Sequence, residues 1–251
     1  MPHHDIKLMS HMVAGYPDID VSLDVARALI DGGSTYLEVQ FPFSDPSADG
    51  IPIQTACNMA LENGFKVAQG FNLIGKIHDS NSIPIFIMSY ASIVFTMGIA
   101  EFVNTAKERG ASGLIIPDLM PGYDEDLYKI AQSRSLNVIP VVAPGISEER
   151  LDEILACECP YLYASLRVGI TGSRTELNDS VVAFAERLKA TGRKVLAGFG
   201  IQTHEQVVAL KDQVHALVVG SALVKEVSAA LSKGTDAYDA VKTKLLELLV
   251  G

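Results

Sequence analysis

Leu37-Glu38-Val39-Gln40-Phe41-Pro42-Phe43-Ser44-Asp45-Pro46-Ser47-Ala48-Asp49-Gly50 is a short apolar run that ends in a carboxylate and opens into a loop carrying two more. A charge at the end of an otherwise buried strand is costly unless it is paired or used, so Glu38 reads as a catalytic group and Asp49 as its candidate partner. A strand-end ion pair or cap is the competing structural reading, because such networks also bury carboxylates. Outward from this stretch, β-rich apolar runs alternate with longer segments of helical period, the rhythm of a parallel sheet.

Strands are expected at residues 11–14, 35–39, 85–89, 113–116, 138–142, 161–165, 194–197 and 216–219, with helical segments at 19–31, 99–109, 123–133, 148–156, 180–190 and 204–210. Asp18, Ser147 and Thr203 stand at N-cap positions, and Gly32, Gly110 and Gly192 where helices would stop. Eight strands, each followed by helix, in 251 residues give an α/β protein, a single (β/α)8 TIM barrel with extra helices at 53–63 and 237–249. A doubly wound open sheet is the alternative, and it needs a topological switch point and usually fewer strands. No composition break marks a boundary, so residues 1–251 read as one domain.

A barrel places catalytic groups at the C-terminal ends of its strands and in the loops that follow. Glu38 ends the second strand, Asp49 lies in the next loop, Asp118 follows the fourth strand, Tyr163 is on the sixth, and Thr171 is in the loop beyond it. Taken singly, Tyr163 is as well explained by core packing, and Thr171 and Asp118 by turns. Their joint placement on one face is what raises them.

Composition bounds the function. With 48% hydrophobic and 20% charged residues the chain has the make-up of a well-buried globular protein. Ser89, Ser92 and Thr96 interrupt the longest apolar stretch, so no membrane helix is expected. A net charge of −10 argues against nucleic acid as partner. A phosphorylated small molecule is compatible with that charge, because backbone amides at helix N-termini bind phosphate without Lys or Arg. No apolar signal core follows Met1, and a cytoplasmic protein is expected. The cysteines are Cys57, Cys157 and Cys159; Cys157-Glu158-Cys159-Pro160 lacks a second cysteine pair or a nearby histidine, so reduced thiols and no metal are expected. His3-His4 reads as a solvated terminus.

Three glycine-bearing segments fall late in the chain: Arg167 to Ser173, Ala197-Gly198-Phe199-Gly200-Ile201, and Val218-Val219-Gly220-Ser221-Ala222. Barrel loops after the seventh and eighth strands commonly bind phosphate through backbone N–H groups, and glycine lets the backbone approach the anion. A phosphate site is expected here, cationic by helix dipole rather than by side chains.

The block from Glu38 to Gln54, with Phe43-Ser44-Asp45-Pro46 and Ala48-Asp49-Gly50 in fixed spacing, resembles the signature of the tryptophan synthase alpha subunit family. Ala14-Gly15-Tyr16-Pro17, Leu114-Ile115-Ile116-Pro117-Asp118-Leu119, Gly169-Ile170-Thr171-Gly172, Gly198-Phe199-Gly200-Ile201 and Val219-Gly220-Ser221-Ala222 carry the same resemblance in the same order. The resemblance implies a (β/α)8 barrel that reversibly cleaves indole-3-glycerol phosphate to indole and glyceraldehyde 3-phosphate. It implies no cofactor in this subunit, and a beta subunit carrying pyridoxal phosphate as partner in an αββα tetramer. Glu38 would be the general acid/base, Asp49 the group at the indole nitrogen, Tyr163 a wall of the indole pocket and Thr171 a loop residue closing the site. Gly172, Gly200, Gly220 and Ser221 would hold the phosphate, while Pro42, Asp45 and Asp118 would communicate with the beta subunit.

Several positions depart from the family's pattern. Gln40 stands where glycine is usual, Ile51-Pro52 for Pro-Thr, Met59 for Arg, Ser92 for Asn, Met120 for Pro, Leu166 for Ser, and His11 for an aromatic or apolar residue lining the indole site. These departures support an alternative from another class, a catalytically weakened alpha subunit acting mainly as allosteric activator of the beta subunit.

Overall fold

The computed structural model describes residues 6–166, 179–198 and 200–251. Its strands are β1 (Leu8–Val13), β2 (Tyr36–Gln40), β3 (Ile85–Met88), β4 (Gly113–Ile115), β5 (Asn137–Val138), β6 (Val141–Val142), β7 (Tyr161–Ser165), β8 (Lys194–Gly198) and β9 (Ala216–Val219). Every pairing is parallel, in the order β5-β4-β3-β2-β1-β9-β8-β7-β6. The two ends of that order are pieces of one extended segment separated by Ile139 and Pro140, so the sheet curls round as a TIM barrel. The strand expected at 138–142 is therefore divided at its proline, which has no N–H to give to a ladder. Ile139 N donates to Leu114 O at 2.8 Å, and Pro140 O accepts from Tyr163 N at 2.9 Å, so the segment still bridges both neighbours.

The helices are α1 (Ile19–Asp31), α2 (Ile51–Glu62), α3 (Val67–Ser80), α4 (Ala91–Met97), α5 (Ile99–Glu108), α6 (Leu127–Ser133), α7 (Glu148–Leu155), α8 (Asp179–Ala190), α9 (His204–Leu210), α10 (Ser221–Lys233) and α11 (Ala237–Val250). Asp18, Ser147 and Thr203 cap α1, α7 and α9 with their side chains, accepting from Val21 N, Arg150 N and Gln206 N. Two boundaries differ from expectation by more than two residues. β1 begins at Leu8 rather than at residue 11, because the polar Ser10 is satisfied inside by the Ser34 hydroxyl at 2.6 Å. α6 begins at Leu127 rather than at residue 123, because Glu125 and Asp126 have φ of 48° and 64°, and the Asp124 carboxylate accepts from Tyr128 N at 2.9 Å.

Strand alternation separates two apolar layers. Leu37, Val39, Ile85, Ile87, Leu114 and Leu217 point outward against the helices. Met9, Tyr36, Phe86, Ile139, Leu196 and Ala216 fill the barrel's interior. Phe41, just past β2, turns outward into Phe71 and Phe102, with ring centroids 5.1 and 6.2 Å away. Gly70 of α3 allows this close approach, since a Cβ there would lie 2.7 Å from Phe41 Cε1. The Phe41 anchor fixes where the β2–α2 loop leaves the barrel.

Candidate active site

Register and alternation gather the polar groups. β1 pairs with β2 so that His11 lies opposite Glu38, and both share the inward side with Met9 and Tyr36. Gln40, two residues beyond Glu38, points the same way. Glu38 is 1% exposed, His11 4% and Gln40 0%, in a barrel whose interior is otherwise mostly apolar. Such groups persist only when hydrogen-bonded.

Glu38 Oε2 lies 3.1 Å from His11 Nδ1 and accepts a long hydrogen bond of 3.5 Å from the Tyr163 hydroxyl. Burial works against charge on His11, but the Glu38 carboxylate and its hydrogen bond, with a further contribution from Asp49, outweigh it and hold the imidazole pKa above its ordinary value. Burial and the two nearby carboxylates push the Tyr163 phenol well above its usual range, so it stays a donor. Among the described residues His11 Nε2 has no hydrogen-bond partner.

Asp49 is held by the loop and by the barrel at once. Its Oδ2 accepts from Gln40 Nε2 at 2.7 Å and from the Tyr90 hydroxyl at 2.9 Å. Tyr90 in turn accepts from Ala48 N at 3.2 Å and stacks on Phe43, with centroids 5.1 Å apart. Gln54 Nε2 donates to Asp49 O at 2.9 Å. Burial pushes the Asp49 carboxyl above the usual carboxylate range, with His11, Gln40 and Tyr90 opposing that rise.

Glu38, His11, Asp49 and Tyr163 line one cavity of about 110 Å³ at the C-terminal end of the strands. Met88, Ile115, Val141 and Val218 supply its apolar walls, and Gly198, Gly200, Gly220 and Ser221 its far rim. Gly220 is the N-cap of α10 and Ser221 its first residue; Leu223 N already donates to Gly220 O at 2.9 Å, which leaves the Ser221 and Ala222 amides at the helix start without an intrahelical acceptor. An apolar cavity lined by two carboxylates and by a helix N-terminus suits an apolar molecule bearing an anion.

Of the residues singled out in the sequence, Glu38, Asp49, Tyr163, Gly200, Gly220 and Ser221 come together around this cavity. Thr171 and Gly172 lie outside the described residues. Pro42 is buried and Asp45 exposed, its carboxylate accepting from the Ser44 hydroxyl at 2.6 Å; neither borders the cavity. Asp118 is exposed and closes the first turn of α4, accepting from Ala91 N at 2.9 and 3.1 Å. Residue-by-residue reading missed His11, Gln40 and Tyr90 as site members. Period-two spacing from Glu38 was a signal for Gln40, whereas the approach of His11 depends on the register between two strands.

The family model described as tryptophan synthase alpha chain matches residues 3–248. The tryptophan synthase alpha chain of Helicobacter hepaticus is 41% identical over 229 residues, covering 88% of this chain and 86% of that protein. That of Methanothermobacter thermautotrophicus is 36% identical over 222 residues, covering 88% and 82%. A chain in the structure of the tryptophan synthase α2β2 complex from Pyrococcus furiosus, a study of mutual activation, superposes with a TM-score of 0.89 at 32% identity over 98% of both chains.

Proposed function

Because this chain belongs to the tryptophan synthase alpha chain family, we propose that it cleaves indole-3-glycerol phosphate to indole and glyceraldehyde 3-phosphate, with Glu38 as general acid/base and Asp49 at the indole nitrogen. The observation that carries this reading is that both carboxylates, from a strand end and from the loop after it, face a single apolar cavity rimmed by Gly200, Gly220 and Ser221.

Retro-aldol cleavage requires a proton on indole C3, a carbon that is a poor base, so a general acid must be held against it. Positive charge then develops on the ring nitrogen, where the Asp49 carboxylate stabilises it. Glu38, once deprotonated, takes the hydroxyl proton from the glycerol carbon as the bond breaks. Tyr163 bounds the indole pocket and donates toward Glu38. Amides at Gly200, Gly220 and Ser221, with Gly172, receive the phosphate, and Thr171 closes the site.

The partner in this reading is a beta subunit that binds pyridoxal phosphate, joined in an αββα tetramer, with Pro42, Asp45 and Asp118 on the side that communicates with it. Support comes from the likeness to the Pyrococcus furiosus complex. The alpha chain itself uses no cofactor here. In this reading the protein works in the cytoplasm, as its biosynthetic family implies.

A second reading, an alpha subunit weakened in cleavage and acting chiefly as activator, is favoured by one observation: Gln40, at a position where the family resemblance implies glycine, binds Asp49 through its amide. The deciding experiment is cleavage of indole-3-glycerol phosphate by the wild type and Glu38→Gln, each with a cognate beta subunit. The enzyme reading expects measurable cleavage that falls by at least about 10²-fold in the variant. Wild-type rates in Glu38→Gln would remove Glu38 from the mechanism.

A further inference from the structure

His11 is the one buried imidazole against Glu38, and nothing in the reaction just described uses it. It approaches the carboxylate through Nδ1 at 3.1 Å. Its ring also packs beside the glycine rim after β9, since a Cβ on Gly220 would meet His11 Cβ and Cγ at 3.4 Å. The imidazole thus lies between the proton-transferring carboxylate and the rim that would take the phosphate.

The groups around it leave Glu38 as its dominant electrostatic partner. From α10 the side chains are Leu223, Val224 and Val227, all apolar. Tyr16, from the β1–α1 loop, is uncharged and pairs its hydroxyl with Ser228 at 2.7 Å. Asp49, from the loop after β2, adds a weaker attraction, and Tyr163 of β7 reaches Glu38 rather than His11. With Nε2 unpartnered among the described residues, an imidazolium here is costly without the carboxylate. Proton occupancy of the two groups is therefore one property of the pair.

Resting on the cleavage reading, we propose that His11 is a positioning residue for Glu38, holding through Nδ1 the proton that the pair lends to the substrate and takes back. The pair starts with one proton shared between imidazole and carboxylate. That proton passes through Glu38 to indole C3. The bond from C3 to the glycerol carbon breaks with its electron pair staying on the ring, and the hydroxyl on that carbon becomes the aldehyde as its proton returns through Glu38. One proton leaves the pair and one comes back, so the buried site completes a turnover without exchanging protons with water.

His11→Phe and His11→Asn test this in the complex with a beta subunit. Phe fills the space without a donor; Asn keeps a donor toward Glu38 but cannot carry the proton. Both are expected to lower kcat by about 10-fold or more, less than the roughly 10²-fold of a lost acid or base because Glu38 itself remains, with KM little changed. Both should shift the alkaline limb of the pH–kcat profile, because the proton is no longer shared with an imidazole. Full rescue of rate and profile by His11→Asn would reduce His11 to a structural donor and overturn the proposal. NMR titration of the His11 ring gives a readout independent of turnover and of how the His11 variants fold. Its pKa should fall below the ordinary imidazole value in Glu38→Gln, where burial is no longer opposed by that carboxylate. An imidazole whose titration ignores Glu38→Gln overturns the proposal. Cleavage that is lost in Glu38→Gln but unaltered in both His11 variants overturns it while leaving the functional reading intact. A wild-type complex with no cleavage overturns both.

Discussion

Gln40 Nε2 donates to Asp49 Oδ2 at 2.7 Å, so a side chain two residues beyond Glu38 on the same strand holds the second carboxylate of the site. The rigid barrel thereby reaches into the loop and fixes a group that the loop alone would leave to its own motion. A cost accompanies the contact: Gln40 Oε1 is buried without a hydrogen-bond partner among the described residues. A hydrogen bond to a charged group contributes about 1.5–3 kcal/mol, and an unsatisfied buried acceptor costs about 1–3 kcal/mol, so the two nearly offset.

Gln40→Leu is therefore expected to lie within about 1 kcal/mol of the wild type in stability at neutral pH. Its pH dependence is more telling. Burial raises the Asp49 pKa in the folded chain, so the folded form takes up this proton before the unfolded one does. That contribution favours the fold at acid pH and is lost as pH rises through the folded pKa. Removing Gln40 takes away an interaction that lowers the Asp49 pKa, so the variant should gain on the wild type as pH falls. Urea denaturation of both proteins across the acid range checks this; parallel curves would mean that Gln40 does not act through the Asp49 charge.

The rim glycine makes a steric prediction. Gly220 has φ of −118°, outside the positive region that favours glycine, and an added Cβ meets His11 only at ordinary contact distance. Gly220→Ala should fold normally. Gly220→Val places branched methyls over the first-turn amides of α10 and should weaken binding of glyceraldehyde 3-phosphate by about 10- to 100-fold, the equivalent of one lost charge-assisted hydrogen bond. Calorimetric titration measures it; unchanged affinity with intact circular dichroism would move the phosphate elsewhere.

Much of this architecture is legible in the sequence. Apolar runs with turn signals marked the strands, and Asp18, Ser147 and Thr203 marked helix starts because a side-chain cap is a local device. α3 was harder to read, since Gly70 and Gly75 interrupt its helical pattern; Gly70 is small because Phe41, far away in sequence, packs against it. The break between β5 and β6 was written in Pro140, but its meaning depends on strands on both sides. Glu38 stands out as a charge where an apolar residue is due, and Asp49 as its candidate partner in the loop that follows. His11 entered only as a departure from a family pattern, because its nearness to Glu38 is a property of register, which single-strand patterns do not carry.

Asp118 separates a structural role from a communicating one. Its carboxylate accepts twice from Ala91 N, at the start of α4, where a side-chain cap contributes about 0.5–2 kcal/mol. Asp118→Ala should lower the stability of the isolated chain by about 1 kcal/mol. If Asp118 also communicates with the partner, activation of the beta reaction should drop at temperatures where the variant is fully folded. Normal activation there would confine Asp118 to capping.

The last question is whether the departures from the family silence cleavage. A displacement of about 1 Å can cost about 10²-fold in a site that works by positioning, and Gln40 stands beside Glu38 where such a shift would matter. Yet Pro52 falls in the first turn of α2, where proline is tolerated. Ser92 lies in α4 and does not border the cavity. These placements leave the two carboxylates facing the same space, which favours an active enzyme. Mixed with a cognate beta subunit, the chain is expected to cleave indole-3-glycerol phosphate at about 1 s⁻¹ or faster, the low end of ordinary turnover. Conversion of indole to tryptophan, assayed separately, reports activation of the partner. Strong activation beside negligible cleavage would establish the regulatory reading instead, with Gln40→Gly as the variant to test for recovered cleavage.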